Sequence, residues 1–373
     1  MRNVPSRDVA IYAPYASIFY DPKALGGGGA EFQTSRMARG LAEAGLRVAH
    51  IVYPIEEVAN PIPGLDVIQR PAYRGAGGPL AKLREALAIW RALRDADARV
   101  YILRGRGMYL VLAPLFARLR GRRVVMSGSN DFDFTPGRHL RNRIAGRPYR
   151  WAIGAADAVV CQTEQQREIA ERELPGLGDL SVIPSFAEPA EPASGDPKAF
   201  LWPARIVDYK RPLKYLELAE ALPEARFWMV GWRVDETPAE LEQEVRRRAA
   251  RLSNVELLDS RPRAELMELL AQAVAVVVTS SNEGMPNVFL EAWMRSIPVL
   301  SLGFDPDGLI EREGVGIAAG DDWGRFADGA TRLWSDRKLR GKLGAAGRRY
   351  VMRNHDRAVV ISQWLSTVER LLG

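Results

Sequence analysis

Ala273-Val274-Ala275-Val276-Val277-Val278-Thr279 leads through Ser280 into Ser281-Asn282-Glu283-Gly284-Met285-Pro286-Asn287-Val288-Phe289-Leu290-Glu291. The first part is an apolar run rich in β-branched residues, which reads as a strand buried on both faces of a parallel sheet. A helix is expected next. Pro286 suits its first turn, where a missing N–H costs nothing, and Val288, Phe289, Ala292 and Trp293 recur at helical spacing. The order is therefore buried strand, carboxylate, glycine turn, helix start and second carboxylate. The N–H groups of a first helical turn favour an anion, and carboxylates on either side of it suit hydroxyl groups beside a phosphate. Sugar nucleotides have that chemistry.

Working outward, the 373 residues exceed one typical domain, so two domains of roughly 180 residues each are expected. Hydrophobic residues at 47% and charged residues at 26% describe an ordinary globular chain, neither disordered nor fibrous. The single cysteine, Cys161, excludes an internal disulfide and fits a reducing compartment. It lies in the apolar run Ala158-Val159-Val160-Cys161 and is read as a core thiol. The polar stretch from Met1 to Asp8 lacks the apolar segment of a signal peptide. No window approaches the roughly 20 apolar residues of a membrane span, so a cytoplasmic location is expected.

The formal net charge of +6 is unevenly placed. Between Arg104 and Arg150 the chain carries many arginines, among them Arg138, Arg141, Arg143, Arg147 and Arg150, against only Asp131 and Asp133. Such a patch attracts anionic partners, and an anionic membrane face is one of them. Regular aromatic interleaving is lacking, so no specific nucleic acid is expected.

In chain order, Val9 to Ala13 reads as a strand, followed by a loop ending in Gly26-Gly27-Gly28-Gly29 and a helix carrying Phe32, Met37, Leu41 and Ala42 on one face. The glycines let backbone approach a ligand or another segment closely. Strands near Val48–Tyr53, Val100–Leu103, Arg123–Met126 and Ala158–Gln162 alternate with helices near Leu80–Leu93 and Tyr109–Arg118, and Leu180-Ser181-Val182-Ile183-Pro184 closes the first half. Thr163-Glu164-Gln165-Gln166 has the spacing of a capping box. Residues 187–198, rich in proline and small polar residues, read as a linker. The alternation then resumes through strands near Phe200–Ala204, Phe227–Gly231 and Val255–Leu258 and the central run, beyond which Val299-Leu300-Ser301-Leu302 leads into Gly303-Phe304-Asp305-Pro306-Asp307-Gly308. Two doubly wound α/β domains are expected, spanning residues 1–186 and 199–354, with residues 355–373 as a terminal helix. Ligands of such folds bind at the carboxyl ends of the strands.

Arg205 and Lys210, in Ala204-Arg205-Ile206-Val207-Asp208-Tyr209-Lys210-Arg211-Pro212, follow the second domain's first strand. They are therefore expected at the same sheet edge as Glu283. Two cations spaced across such a loop can neutralise a diphosphate, arginine as a fork and lysine as a point charge.

With Gly28-Gly29-Ala30-Glu31, Arg205 with Lys210, and Glu283 with Glu291 in this order, the chain resembles the retaining family 4 glycosyltransferases of GT-B fold. The resemblance is strongest from about Leu201 to Gly316. It implies two Rossmann-like domains facing each other across a cleft, acceptor on the first and nucleotide sugar on the second, with the C-terminal helix crossing back to the first. It implies that Arg205, Lys210 and Glu283 act in catalysis, the two cations stabilising the departing diphosphate and Glu283 positioning the sugar. Glu291 would hold the ribose, and Gly28, Gly29, Gly231, Gly284, Met285, Pro286, Asn287 and Val288 would line the donor. The donor is a UDP-, GDP- or ADP-sugar, with no cofactor and no catalytic metal, and the acceptor a saccharide, a small molecule or a lipid-linked one.

Two features depart from the family pattern. Where the family often has a histidine after the strand at Val124-Val125-Met126, this chain reads Ser127-Gly128-Ser129-Asn130-Asp131. Asp131 and His139 are the acceptor-side candidates in its place, and the donor phosphate is a third group able to take the acceptor proton. Ile183-Pro184-Ser185-Phe186 replaces an Asn-Gly turn. A nucleotide-sugar epimerase of the same architecture, or a non-catalytic sugar-nucleotide-binding protein, are the alternative readings.

Overall fold

The computed structural model describes residues 5–21, 28–58, 62–71, 78–105, 107–135, 146–234 and 236–373. The chain divides into two units, one made of residues 1–185 with 358–373 and the other of residues 186–357.

The first unit holds a seven-stranded sheet: β1 (Arg7–Tyr12), β2 (Val48–Val52), β3 (Leu65–Gln69), β4 (Ala98–Arg104), β5 (Arg123–Ser127), β6 (Ala158–Cys161) and β7 (Asp179–Val182). Every pairing is parallel, in the order β3-β2-β1-β4-β5-β6-β7. Parallel strands need crossovers, and helices such as Gly29–Glu43, Pro79–Ala96 and Tyr109–Arg120 supply them. The second unit repeats the plan with β8 (Ala199–Arg205), β9 (Phe227–Trp232), β10 (Val255–Leu258), β11 (Ala273–Val278), β12 (Val299–Ser301) and β13 (Gly316–Ala318), ordered β10-β9-β8-β11-β12-β13. In each sheet the chain winds outward from a central strand, then restarts beside that strand and winds the other way. The restart opens a crevice at the carboxyl ends of β1 and β4, and likewise of β8 and β11.

Central strands are legible because burial on both faces demands continuous apolar sequence. β11, Ala-Val-Ala-Val-Val-Val, is buried at all six positions. The edge strand β3 escaped the sequence reading: it pairs only with β2 and exposes Asp66 and Gln69, so its composition is that of a loop. Helix Gly146–Gly154 was hidden in the same way, inside the arginine-rich segment. Pro286 is not in the first helical turn but just before it, with extended backbone (φ −64°, ψ 122°), and the helix runs Asn287–Met294. Thr163 does cap helix Glu164–Glu173, accepting from Gln166 N at 3.1 Å. The return bond of the expected box shifts by one residue, to Gln162 N.

Residues 187–198 do not hang free. They run along the second unit, with Ala187 N bonded to His355 O at 2.9 Å, Ala193 N to Arg295 O at 2.8 Å and Lys198 N to Gln272 O at 2.8 Å. Helix Arg357–Leu372 packs in the first unit, where Arg370 pairs with Asp179 at 2.6 Å and Arg99 donates to Leu372 O at 2.8 Å. No helix among the described residues is long and apolar enough to cross a membrane.

Candidate active site

Because β8 and β11 are neighbours, the loops that follow them emerge side by side. Backbone and side chains stitch them together. Ser281 N donates to Tyr209 O at 2.9 Å, and the Thr279 hydroxyl donates to Lys210 O at 2.6 Å while accepting from Trp202 Nε1 at 3.0 Å. Arg211, in the left-handed region at φ +49°, turns back to donate to Thr279 O and Ser280 O and pairs with Asp321 at 2.6 Å. A Cβ on Gly303 would lie 2.3 Å from that guanidinium and 2.5 Å from the Asp321 carboxylate, so the clamp as it stands fills the space of a side chain there.

Onto this frame the sequence candidates fall as follows. Lys210 and Glu283, 73 positions apart, form an ion pair whose side chains are only 17% and 14% exposed. Glu283 lies just ahead of helix Asn287–Met294, and the intervening Gly284 and Met285 are buried. Pro286, Asn287 and Val288 are half-buried at the helix start. Arg205 is half-buried and bonded to the Tyr209 hydroxyl at 2.6 Å. Glu291 does not join Glu283: it pairs with Arg263 at 2.5 Å, at the start of helix Arg263–Ala271. Gly231 sits in β9 with Ile206 against its missing Cβ at 3.1 Å, so its smallness lets the Arg205 loop lie on the sheet.

Arg211 and Arg263 carry no motif in the sequence. The signal for Arg211 was its place between a strand end and Pro212; Arg263 had none, being one arginine among many.

In the first unit Gly28 precedes helix Gly29–Glu43, and the Glu31 carboxylate folds back into the space a Gly28 Cβ would fill. Arg104 overturns an expectation. Counted from sequence among surface cations, it is only 7% exposed, at the carboxyl end of β4. With its amide oriented to suit its neighbours, Gln162 accepts from Arg104 and from the Ser185 hydroxyl, both at 2.5 Å, and donates to Ser129 O at 3.0 Å. Arg104 Nε has no hydrogen-bond partner among the described residues. Burial pushes its guanidinium down to about 10, against the opposing pull of Asp133 and Glu31. Tyr109 donates to Arg104 O at 2.6 Å and stacks on Tyr12 with ring centres 4.3 Å apart.

Asp131, the acceptor-side candidate, lies at the start of the turn Asp131–Phe134, where Gln165 reaches it at 3.4 Å. The buried carboxylate of that turn is Asp133, which accepts from Ser129 N and Ser129 Oγ, both at 2.7 Å. His139 lies outside the described residues, as do Arg138, Arg141 and Arg143. His50 is fully buried and holds the Tyr20 hydroxyl on Nδ1 at 2.6 Å; burial pushes it down to about 3. Cys161 is buried, and burial pushes its thiol up to about 12, as fits a core residue.

Comparison with known proteins speaks to the family and the fold. Residues 28–185 match the family described as "Glycosyl transferase 4-like domain", and residues 186–350 match "Glycosyl transferases group 1". Among solved structures, sucrose-phosphate synthase from Thermosynechococcus elongatus superposes with a TM-score of 0.78 at 17% identity, over 98% of this chain and 99% of that one. HepE of Anabaena, in complex with UDP and glucose, gives 0.74 at 15% identity, covering 98% and 100%. A UDP-forming α,α-trehalose-phosphate synthase from Burkholderia xenovorans gives 0.73 at 13% identity, covering 99% and 100%. At such identities the neighbours speak for the fold, while the two family matches together run from residue 28 to residue 350. The chain belongs to the GT4-type glycosyltransferases of GT-B fold.

Proposed function

We propose that this protein transfers a sugar from a nucleoside-diphosphate sugar to a hydroxyl acceptor with retention of configuration at the anomeric carbon. The observation that carries the reading is the Lys210–Glu283 pair, delivered by two loops to the crevice where the strand order reverses. A cation and a carboxylate gripping each other there are placed to grip the two halves of a donor instead: diphosphate on Lys210 and Arg205, sugar hydroxyls on Glu283. Glu291 is the residue for the ribose, held in place by Arg263.

In the reaction the bond between the anomeric carbon and the diphosphate oxygen breaks, its electron pair leaving with the diphosphate. Lys210, Arg205 and the N-terminus of helix Asn287–Met294 stabilise the negative charge that develops. The acceptor oxygen bonds to the same face of that carbon, and its proton passes to a departing phosphate oxygen. No side-chain base is needed on that route, which suits a chain that reads Ser127-Gly128-Ser129-Asn130-Asp131, with no histidine, directly after Met126. A uridine nucleotide is the first donor to try, because HepE holds UDP and the trehalose-phosphate synthase is UDP-forming.

Thermal-shift screening against UDP-, GDP- and ADP-sugars identifies the donor, since a bound ligand raises apparent stability by mass action. With that donor, Lys210→Ala lowers kcat/KM by about 100- to 1000-fold, the cost of losing one donor to developing oxyanion charge. Full activity of Lys210→Ala with every nucleotide sugar would falsify the assignment. An inverted anomeric centre in the product, read by NMR coupling constants, overturns the retention claim alone.

A further inference from the structure

Helices Pro79–Ala96, Tyr109–Arg120 and Gly146–Gly154 make the crossovers from β3 to β4, β4 to β5 and β5 to β6. All three steps travel the same way across the sheet, so right-handed crossovers put the three helices on one face of it. They pack side by side, the first two joined by the edge-to-face contact of Trp90 with Phe116 at 5.1 Å. Their inner sides enter the core. Their outer sides are apolar where water should meet polar residues: Leu80, Leu83 and Leu87 on the first, Leu115 and Leu119 on the second, and Trp151 on the third are all exposed, Leu119 by 67%. The leucines repeat at spacings of three and four, one helix stripe each. Six of the eleven large hydrophobic side chains exposed among the described residues lie here. Scattered apolar residues need no explanation, but stripes on adjacent helices do.

The charge around the stripes is one-sided. The three helices hold only two carboxylates, Glu85 and Asp95, and arginines take both, Arg70 at 2.7 Å and Arg94 at 3.0 Å. Lys82, Arg84, Arg91, Arg118, Arg120 and Arg147 are exposed and make no ion pair among the described residues. Leucine stripes bordered by uncompensated cations match the layering of a lipid surface, with acyl chains beneath anionic headgroups. A second copy of the chain is disfavoured, because a two-fold contact would set like charges against each other. Single-stranded nucleic acid would ask for aromatic platforms between the cations, and five of the six apolar side chains are leucine.

We infer that this three-helix face docks the protein on an anionic membrane surface, leucines at the acyl boundary and cations among the headgroups. Of the arginines expected at an anionic membrane, Arg147 and Arg150 are described, and they stand on helix Gly146–Gly154 at one side of this apolar-centred face. This inference does not depend on which nucleotide sugar the second unit binds.

The test is co-sedimentation of the full chain with vesicles of phosphatidylcholine alone and of phosphatidylcholine mixed with phosphatidylglycerol. Wild type is expected to bind the mixed vesicles and to be released by salt. The triple variant Arg84→Gln/Arg118→Gln/Arg147→Gln should bind about 100-fold more weakly, roughly fivefold per cation removed. Leu83→Ser/Leu115→Ser/Leu119→Ser should bind at least about tenfold more weakly while keeping the salt dependence of wild type. These side chains are exposed, so both variants should fold, and a thermal shift with the donor equal to that of wild type establishes it. Equal affinity of wild type for neutral and mixed vesicles, or no binding to either, overturns the inference. So does a dimer, seen by sedimentation velocity without lipid, that the leucine variant dissolves, since the face would then belong to a second copy.

Discussion

The carboxyl ends of the two sheets share a strand order and differ in what they hold there. Beside β8 and β11 the charges are paired across loops near the surface: Lys210 with Glu283, Arg263 with Glu291, and Arg211 with the exposed Asp321. Beside β1 and β4 the corresponding cation, Arg104, is sunk beneath Tyr109, Gln162 and Ser185. Ion pairs near the surface contribute little to folding and can be exchanged for a ligand's charges at little cost. A buried guanidinium cannot be released in that way, because each polar group left behind in the interior costs free energy. The difference teaches that the charges of one crevice are free to exchange partners, while the charge of the other holds its loops in place.

The comparison breaks most sharply on paired variants. Lys210→Ala should take away most of the activity yet leave the melting temperature close to wild type. Arg104→Met should do the reverse, lowering stability by about 1–3 kcal/mol in denaturant melts because Gln162 loses its donor. Equal stability of the two variants would erase the contrast. Acid sharpens it further. His50, also in the first unit, is lowered from 6.5 to about 3 in the folded chain. The unfolded chain therefore takes up a proton that the folded chain refuses, and stability falls as pH drops from 6.5 toward about 3. In His50→Gln the plot of unfolding free energy against pH should be shallower across that window by about 1.4 kcal/mol per pH unit. An unchanged slope would place the acid sensitivity elsewhere. The smallest effect is expected from Arg263→Ala, which frees Glu291 to move without removing it: donor KM should rise about three- to tenfold with kcat nearly constant. A fall in kcat of the same size would mean that Arg263 acts in the chemical step.

Much of the fold was legible because buried parallel strands must be continuously apolar, and the runs at Val9–Tyr12, Val48–Val52, Ala158–Cys161 and Ala273–Val278 could be little else. β3 and helix Gly146–Gly154 were not, since an edge strand and a half-exposed helix carry mixed composition. In the second unit the motif residues were legible by their position after strands, a local property. Their partners were not. Nothing near Glu291 points to Arg263, which lies 28 positions away, and Arg104 reads as one more surface arginine until β5 and β6 are placed beside it.

By itself the sequence determined where the buried strands run, which loops follow them and therefore which charges reach a sheet edge, because strand periodicity and burial are written in adjacent residues. Only the tertiary structure decided which of those charges pair, which are sunk and which stay in water. Those outcomes depend on the order of strands in the sheet, and that order joins residues far apart along the chain.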